Sequence, residues 1–154
     1  MKKLSRKNIP GNRTRTGFKI TKILVVEDDN NLIEILEILF NEAGYQMKAL
    51  NSVKKIIPIV EDFQPDLVLL DCLLPESNGG EFCRQIKLNE ATCLIPVIIF
   101  SAYPKVLLSL GDYGCDAFIA KPFDLDVLLF HIEKCLETKH NTQENLEQLK
   151  SKTN

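Results

Sequence analysis

Residues 66–80 read Asp66-Leu67-Val68-Leu69-Leu70-Asp71-Cys72-Leu73-Leu74-Pro75-Glu76-Ser77-Asn78-Gly79-Gly80. Four consecutive apolar residues between polar, turn-forming neighbours describe a strand buried on both faces, as in a parallel sheet covered by helices. Asp71 stands at the carboxyl end of that strand. Pro75 and the Asn78-Gly79-Gly80 cluster then favour a loop over a continuing strand. Open α/β sheets hold their ligands at the carboxyl ends of strands, so Asp71 is the first candidate for chemistry.

Working outward, one unit repeats. Upstream, Lys22-Ile23-Leu24-Val25-Val26 is a short, β-branched strand that ends in Glu27-Asp28-Asp29. Asp29 or Asn30 caps a helix on which Leu32, Ile35, Leu36, Leu39 and Phe40 recur at helical spacing, and Ala43-Gly44 closes it. Tyr45–Leu50 reads as a second, weaker strand. Asn51–Phe63 reads as a second helix, kinked or shortened by Pro58. Downstream follow a third helix over Glu81–Leu88, a fourth strand Ile95–Phe100 leading into Ser101, and a brief fourth helix over Val106–Leu110. Cys115–Ala120 is the fifth strand and leads into Lys121-Pro122-Phe123. Asp124 caps a last helix with Leu125, Leu128, Leu129, Ile132 and Leu136 on its inner stripe. Alternating strands and helices imply an α/β fold with a five-stranded parallel sheet and helices on both faces. The simplest doubly wound order is 2-1-3-4-5, the flavodoxin-like arrangement, with its switch point between strands one and three.

Composition bounds the rest. With 154 residues, 45% hydrophobic and 26% charged, the chain is sized for one globular domain. No apolar run approaches the roughly 20 residues that span a bilayer, so no membrane span is expected. Five scattered cysteines without a Cys-x-x-Cys pair suit a reduced, cytoplasmic setting. Eight of the 19 basic residues precede Ile23 and none of the 21 acidic ones do, so a basic arm (residues 1–20) leads an acidic body. That arm reads as a solvated tail, and the acidic body argues against nucleic-acid binding by the folded part. The expected domain is 21–137, with a polar tail over 138–154 that either prolongs the last helix or frays.

On the proposed sheet, Glu27 and Asp28 from strand one meet Asp71 from strand three at the switch point, with Ser101 and Lys121 arriving from strands four and five. Clustered carboxylates repel unless a cation sits among them, and an all-oxygen donor set suits Mg²⁺. A carboxylate with a cation and a hydroxyl opposite is equipped to accept a phosphoryl group. Here the sequence resembles the receiver domains of two-component response regulators (CheY-like). The residues that carry the resemblance are Val25-Val26-Glu27-Asp28-Asp29, Asp71-Cys72-Leu73-Leu74-Pro75 with Asn78-Gly79, Ser101-Ala102 and Lys121-Pro122-Phe123. The resemblance implies that Asp71 takes a phosphoryl group from a histidine kinase or histidine phosphotransfer protein. It implies that Glu27, Asp28, Asp71 and the main-chain carbonyl of Leu73 hold Mg²⁺, with Asp28 a direct ligand and Glu27 acting through water. Ser101 would bond one phosphoryl oxygen and Lys121 another. Phe118 would be the aromatic switch, against the plainer reading of a core residue.

Two departures from the family pattern bear on output and lifetime. The segment from Ser101 to Lys121 is about two residues shorter than usual, which truncates the fourth helix. Leu73 and Tyr103 are bulky where they would shield the phosphate from water, so a long-lived phosphoryl state is expected. Cys72 beside Asp71 reads as a small buried hydrophobe, and His131 and His140 as surface residues. A receiver of this kind is no enzyme beyond its own phosphorylation and dephosphorylation. The alternatives are a phosphorylation-independent pseudo-receiver acting as a binding module, and a phosphatase on the same sheet. The latter wants a second acid two residues past the nucleophile, where this chain has Leu73. The short tail after the last helix reads as a stand-alone receiver with no DNA-binding domain, which signals to a downstream protein target and is open to forming a homodimer.

Overall fold

Strands β1 (Lys22–Val26) and β3 (Leu67–Asp71) are short, mostly apolar runs, all five side chains of β3 being buried, while the edge strand β2 (Gln46–Leu50) mixes polar and apolar residues and is only partly buried. The computed structural model describes residues 19–103, 105 and 113–153. Most of the expected arm (residues 1–18) and the expected helix Val106–Leu110 lie outside the described residues. After β3 come two short strands, β4 (Leu73–Leu74) and β5 (Ser77–Asn78), paired antiparallel around Pro75-Glu76. Strands β6 (Val97–Ser101) and β7 (Ala117–Ala120) complete a five-stranded sheet of order β2-β1-β3-β6-β7, parallel throughout. This is the expected 2-1-3-4-5 order of a flavodoxin-like fold.

Alternation along the strands fills two cores. Leu24, Val26, Val68, Leu70, Val97 and Ile99 face one side, where helices α2 (Ile56–Phe63) and α3 (Gly79–Leu88) contribute Ile56, Val60, Phe82, Cys83 and Ile86. Ile23, Val25, Leu67, Leu69, Ile98 and Phe100 face the other, under α1 (Asn30–Glu42) and the last helix, α4 (Leu125–Lys152).

The helix ends correct several expectations. Asp29 caps α1, accepting from the amides of Asn31 and Leu32 at 2.9 and 3.4 Å. Helix α2 starts at Ile56, not at Asn51 or Ser52, so Pro58 falls in its first turn. Amides there have no partner within the helix, and proline is tolerated. Helix α3 begins at Gly79 because the Asn78 side chain accepts from Gly80 and Glu81. Two residues assigned to inner stripes, Ile35 and Leu125, are exposed, and Cys135 is buried on α4. The 138–154 segment prolongs the last helix as far as Lys152.

At the amino edge of the sheet, Asp66 joins three segments. Its carboxylate accepts from Lys19 Nζ at 2.9 Å and the Lys22 amide at 3.0 Å, and lies 3.5 Å from Lys139 Nζ on α4. Burial alone would raise the Asp66 pKa. The Lys19 and Lys22 hydrogen bonds and the Lys139 charge outweigh burial and hold it below the ordinary 3.8. Burial pushes Lys139 the other way, lowering its pKa with help from Lys19 and Lys87 and against the pull of Asp66. A carboxyl with a depressed folded-state pKa stabilises the fold above its ordinary pKa and loses that contribution as pH falls through the folded value. Asp66→Asn is therefore expected to cost about 2 kcal/mol near neutrality, in the range for a hydrogen-bonded charged group. The cost should fade as pH falls below the ordinary carboxyl value of 3.8, where the unfolded chain takes up the proton first, and vanish below the lower folded-state value. Chemical denaturation across pH checks this; a constant difference down to strongly acidic pH would rule it out.

Candidate functional site: a carboxylate–lysine cluster

Sheet register assembles the site. Val26 pairs with Leu70, so the following residues, Glu27 and Asp71, stand side by side. Asp71 pairs with Phe100, and Ser101 with Ala120, which brings Lys121 to the same edge. Strand alternation places Glu27, Asp71 and Lys121 on the α1/α4 side and Ser101 and Phe118 on the α2/α3 side.

Lys121 Nζ donates to Glu27 Oε2 at 2.7 Å and to Asp71 Oδ2 at 2.8 Å, and lies 4.6 Å from the centre of the Phe100 ring. The remaining oxygens are held by backbone: Asp29 N–H donates to Glu27 Oε1 and Leu73 N–H to Asp71 Oδ1, both at 2.9 Å. Glu27 is only 1% exposed. Burial is the largest influence on it and, with the Asp71 charge, leaves its pKa raised despite hydrogen bonds from Lys121 and Asp29. Burial would depress Lys121, but hydrogen bonds and charges from Asp71 and Glu27 together raise it. The ammonium is thus held charged between two carboxylates.

Glu27, Asp28 and Asp71 each present a carboxylate oxygen, all within 4.8 Å of one another, and Asp28 is exposed. Such a hard-oxygen set open to solvent fits a cation that keeps part of its water shell, as Mg²⁺ does. The residues present therefore fit the expected metal. Ser101 is buried, and its Oγ accepts from the Tyr103 amide at 3.1 Å. Phe118 is half-buried against the apolar cluster under α2 and α3. Leu73 and Tyr103 are 44% and 63% exposed beside Asp71 and Ser101 in the chain. The Lys121–Pro122 peptide is cis.

The structure brings Glu27, Asp28, Asp71 and Lys121 into one cluster, with Ser101 at the neighbouring strand end. Sequence reading missed Asn78 as the cap that fixes the far end of the Asp71 loop. The signal was there: Asn78 followed three residues later by Glu81 is a helix-start pattern. It also missed Lys121 as a partner shared by both carboxylates.

Against this geometry, the response regulator receiver domain model matches residues 23–133. The chain belongs to that family. It is 38% identical over 135 residues to the response regulator ArlR of Staphylococcus saprophyticus, an alignment spanning 85% of this chain and 58% of ArlR. It is 30% identical over 127 residues to the regulatory protein AtoC of Escherichia coli, covering 81% of this chain and 27% of AtoC. Among solved structures, the response regulator TrrA of Thermotoga maritima, in complex with Mg²⁺-BeF, superposes with a TM-score of 0.68 at 26% identity. That match covers 75% of this receiver and 99% of TrrA. A CheY-like receiver from Methanospirillum hungatei has the same fold, with a TM-score of 0.72 at 21% identity over 80% of this chain and 99% of that one.

These relatives overturn the expectation of a stand-alone receiver without a DNA-binding domain. They are response regulators in which the receiver is one part of a longer chain that carries an output domain, and the present chain corresponds to the receiver part alone. The length of the tail after the last receiver helix therefore says nothing against an output domain. Among the described residues, no helix is long and apolar enough to cross a membrane.

Lys121 is the counter-ion of a 1%-exposed glutamate. Lys121→Met is expected to destabilise the receiver by about 3 kcal/mol, in the range for removing one partner of a buried ion pair. Added Mg²⁺ should restore part of the loss by replacing the missing charge. Thermal melting with and without Mg²⁺ tests this; a variant as stable as wild type without the metal would refute it.

Proposed function

We propose that this receiver is a phospho-switch in which Asp71 accepts a phosphoryl group from a phosphohistidine of a histidine kinase or phosphotransfer protein. The observation that carries the reading is the pair of 2.7 and 2.8 Å bonds from Lys121 to Glu27 and Asp71. They hold a fixed positive charge against the carboxylate that would receive the group. An Asp71 oxygen attacks phosphorus in line, a P–O bond forms, the P–N bond breaks, and the imidazole nitrogen takes a proton from solvent. Lys121 then exchanges one carboxylate partner for a phosphoryl oxygen. Ser101 donates its hydroxyl to another. Glu27, Asp28, Asp71 and the Leu73 carbonyl would hold Mg²⁺, and the ion supplies charge neutralisation for the transferring group. Phe118 shares a sheet face with Ser101, so a shift of Ser101 toward the phosphate frees room into which the ring can turn. Phosphorylation then biases a protein-binding surface near Ser101, Phe118 and α4 between two states.

Incubation with acetyl phosphate and Mg²⁺ is expected to add the mass of one phosphate to the wild-type chain and none to Asp71→Ala. Equal labelling of both, or of neither, would refute the assignment. The pseudo-receiver alternative is the outcome in which neither is labelled and beryllofluoride with Mg²⁺ leaves the spectrum unchanged. Leu73 and Tyr103 are exposed two residues past Asp71 and Ser101, and bulk at these positions would slow the approach of water. Leu73→Asn and Tyr103→Asn are each expected to shorten the phosphoryl lifetime severalfold, as measured by loss of label after the donor is removed. Complete loss from the wild type within seconds, without a phosphatase, would contradict the shielding role.

A further inference from the structure

Two glycines carry contacts that side chains usually carry. A side-chain carbon on Gly79 would run into the main-chain carbonyl of Asp71, and the Gly79 amide donates to Cys72 O at 3.0 Å. The amino end of α3 thus lies backbone-to-backbone against the end of β3. The next residue, Gly80, is buried, and the room a side-chain carbon would need there is filled by the edge of the Tyr113 ring (Cε2, Cδ2 and Cζ). Asn78 fixes this turn by accepting from the Gly80 and Glu81 amides. From the other side, Tyr113 O accepts from Cys83 Sγ at 3.5 Å, one helical turn along α3.

Tyr113 has φ +53° and Gly114 φ +76°. A tyrosine in the left-handed region is uncommon, and such conformations persist where the surroundings impose them. Here the ring's seat on Gly80 and the bond to Cys83 do so. Tyr113, Cys115 and Phe118 all pack on the apolar cluster under α2 and α3. A continuous path of contacts therefore runs from the Asp71 carbonyl through Gly79 and Gly80 to the Tyr113 ring, and on to the chain that carries Phe118. Its first links are glycine backbone, with no flexible side chain to absorb a movement of the Asp71 loop.

We propose that Tyr113 is a positioning residue for the phosphoacceptor site. Its ring on Gly80 couples the Asp71–Gly80 loop to residues 113–118, so two aromatic side chains read the state of Asp71. The proposal rests on the reading of Asp71 as the phosphoacceptor.

The test compares wild type, Tyr113→Phe, Tyr113→Ala, Gly80→Ala and the double variant Gly80→Ala/Tyr113→Ala, each with and without Mg²⁺ and beryllofluoride. Fluorine NMR reports whether beryllofluoride is bound, and hydrogen exchange reports on peptides covering residues 113–118. Wild type and Tyr113→Phe are expected to bind beryllofluoride and to change exchange across 113–118. Tyr113→Ala and the double variant should bind it with that change reduced to background. Gly80→Ala should melt lower than wild type, and the double variant should recover that loss, because the methyl then has no ring to displace. Should Gly80→Ala fail to fold, Tyr113→Ala still decides the matter. A full exchange response in Tyr113→Ala, or melting losses that simply add in the double variant, would overturn the proposal. No bound fluorine signal in wild type would overturn the Asp71 reading, and this one with it.

Discussion

Two carboxylates at the ends of adjacent parallel strands, one of them almost wholly buried, need a positive charge between them. Glu27 and Asp71 are set side by side by the pairing of β1 with β3, which the folding of both strands leaves no freedom to avoid. Lys121 answers that demand from the far edge of the sheet, reaching across the Phe100 ring on β6 to bond both acids. Much of the architecture at this edge follows. The lysine must leave β7 one residue past the sheet, β6 must lie between β3 and β7, and the loop after Asp71 must fold back to supply an amide to its second oxygen.

This balance makes the edge responsive. Lysine is a compact point charge on a flexible stem, so it can change partners without a change of fold. Both of its carboxylate partners also belong, with Asp28, to the group whose oxygens lie within 4.8 Å of one another, so a metal ion or an incoming anion would alter the same small set of bonds. The two faces of the sheet then take separate roles. Glu27, Asp71 and Lys121 lie on the α1/α4 side, while Ser101, Phe118 and the cluster that receives Tyr113 lie on the α2/α3 side. Ser101 sits on the strand next to Asp71 yet turns to the opposite face, and so stands between the carboxylate cluster and the apolar core.

Much of this was legible in the residues. The buried runs of β1, β3 and β6, the acids after Val26 and Asp71 at a strand end gave the parallel sheet, its order and the members of the cluster. The misreadings were local and had local causes. Asn51 and Ser52 looked like a helix start, but Pro58 is comfortable only in a first turn, which moved the start to Ile56. Asn78-Gly79-Gly80 looked like a loop, while the Asn78 side chain caps α3 and the glycines fit where a helix end touches a strand end. Ile35 and Leu125 recur at helical spacing but fall at the margin of the buried stripe, because spacing gives the angle of a face and not its width. The error about output came from reading the length of a tail, which carries no information about an output domain.

The order of residues along the chain determined which side chains arrive at the carboxyl edge, since alternation and strand length are local properties of the backbone. It left open which of them touch. That Lys121 bonds Glu27 and Asp71 together, that Asp66 ties the first strand to the last helix, and that Tyr113 occupies the space above Gly80 were decided only by tertiary structure. Each joins residues dozens of positions apart, and the distance between such residues is set by strand register and helix packing, which no local pattern encodes.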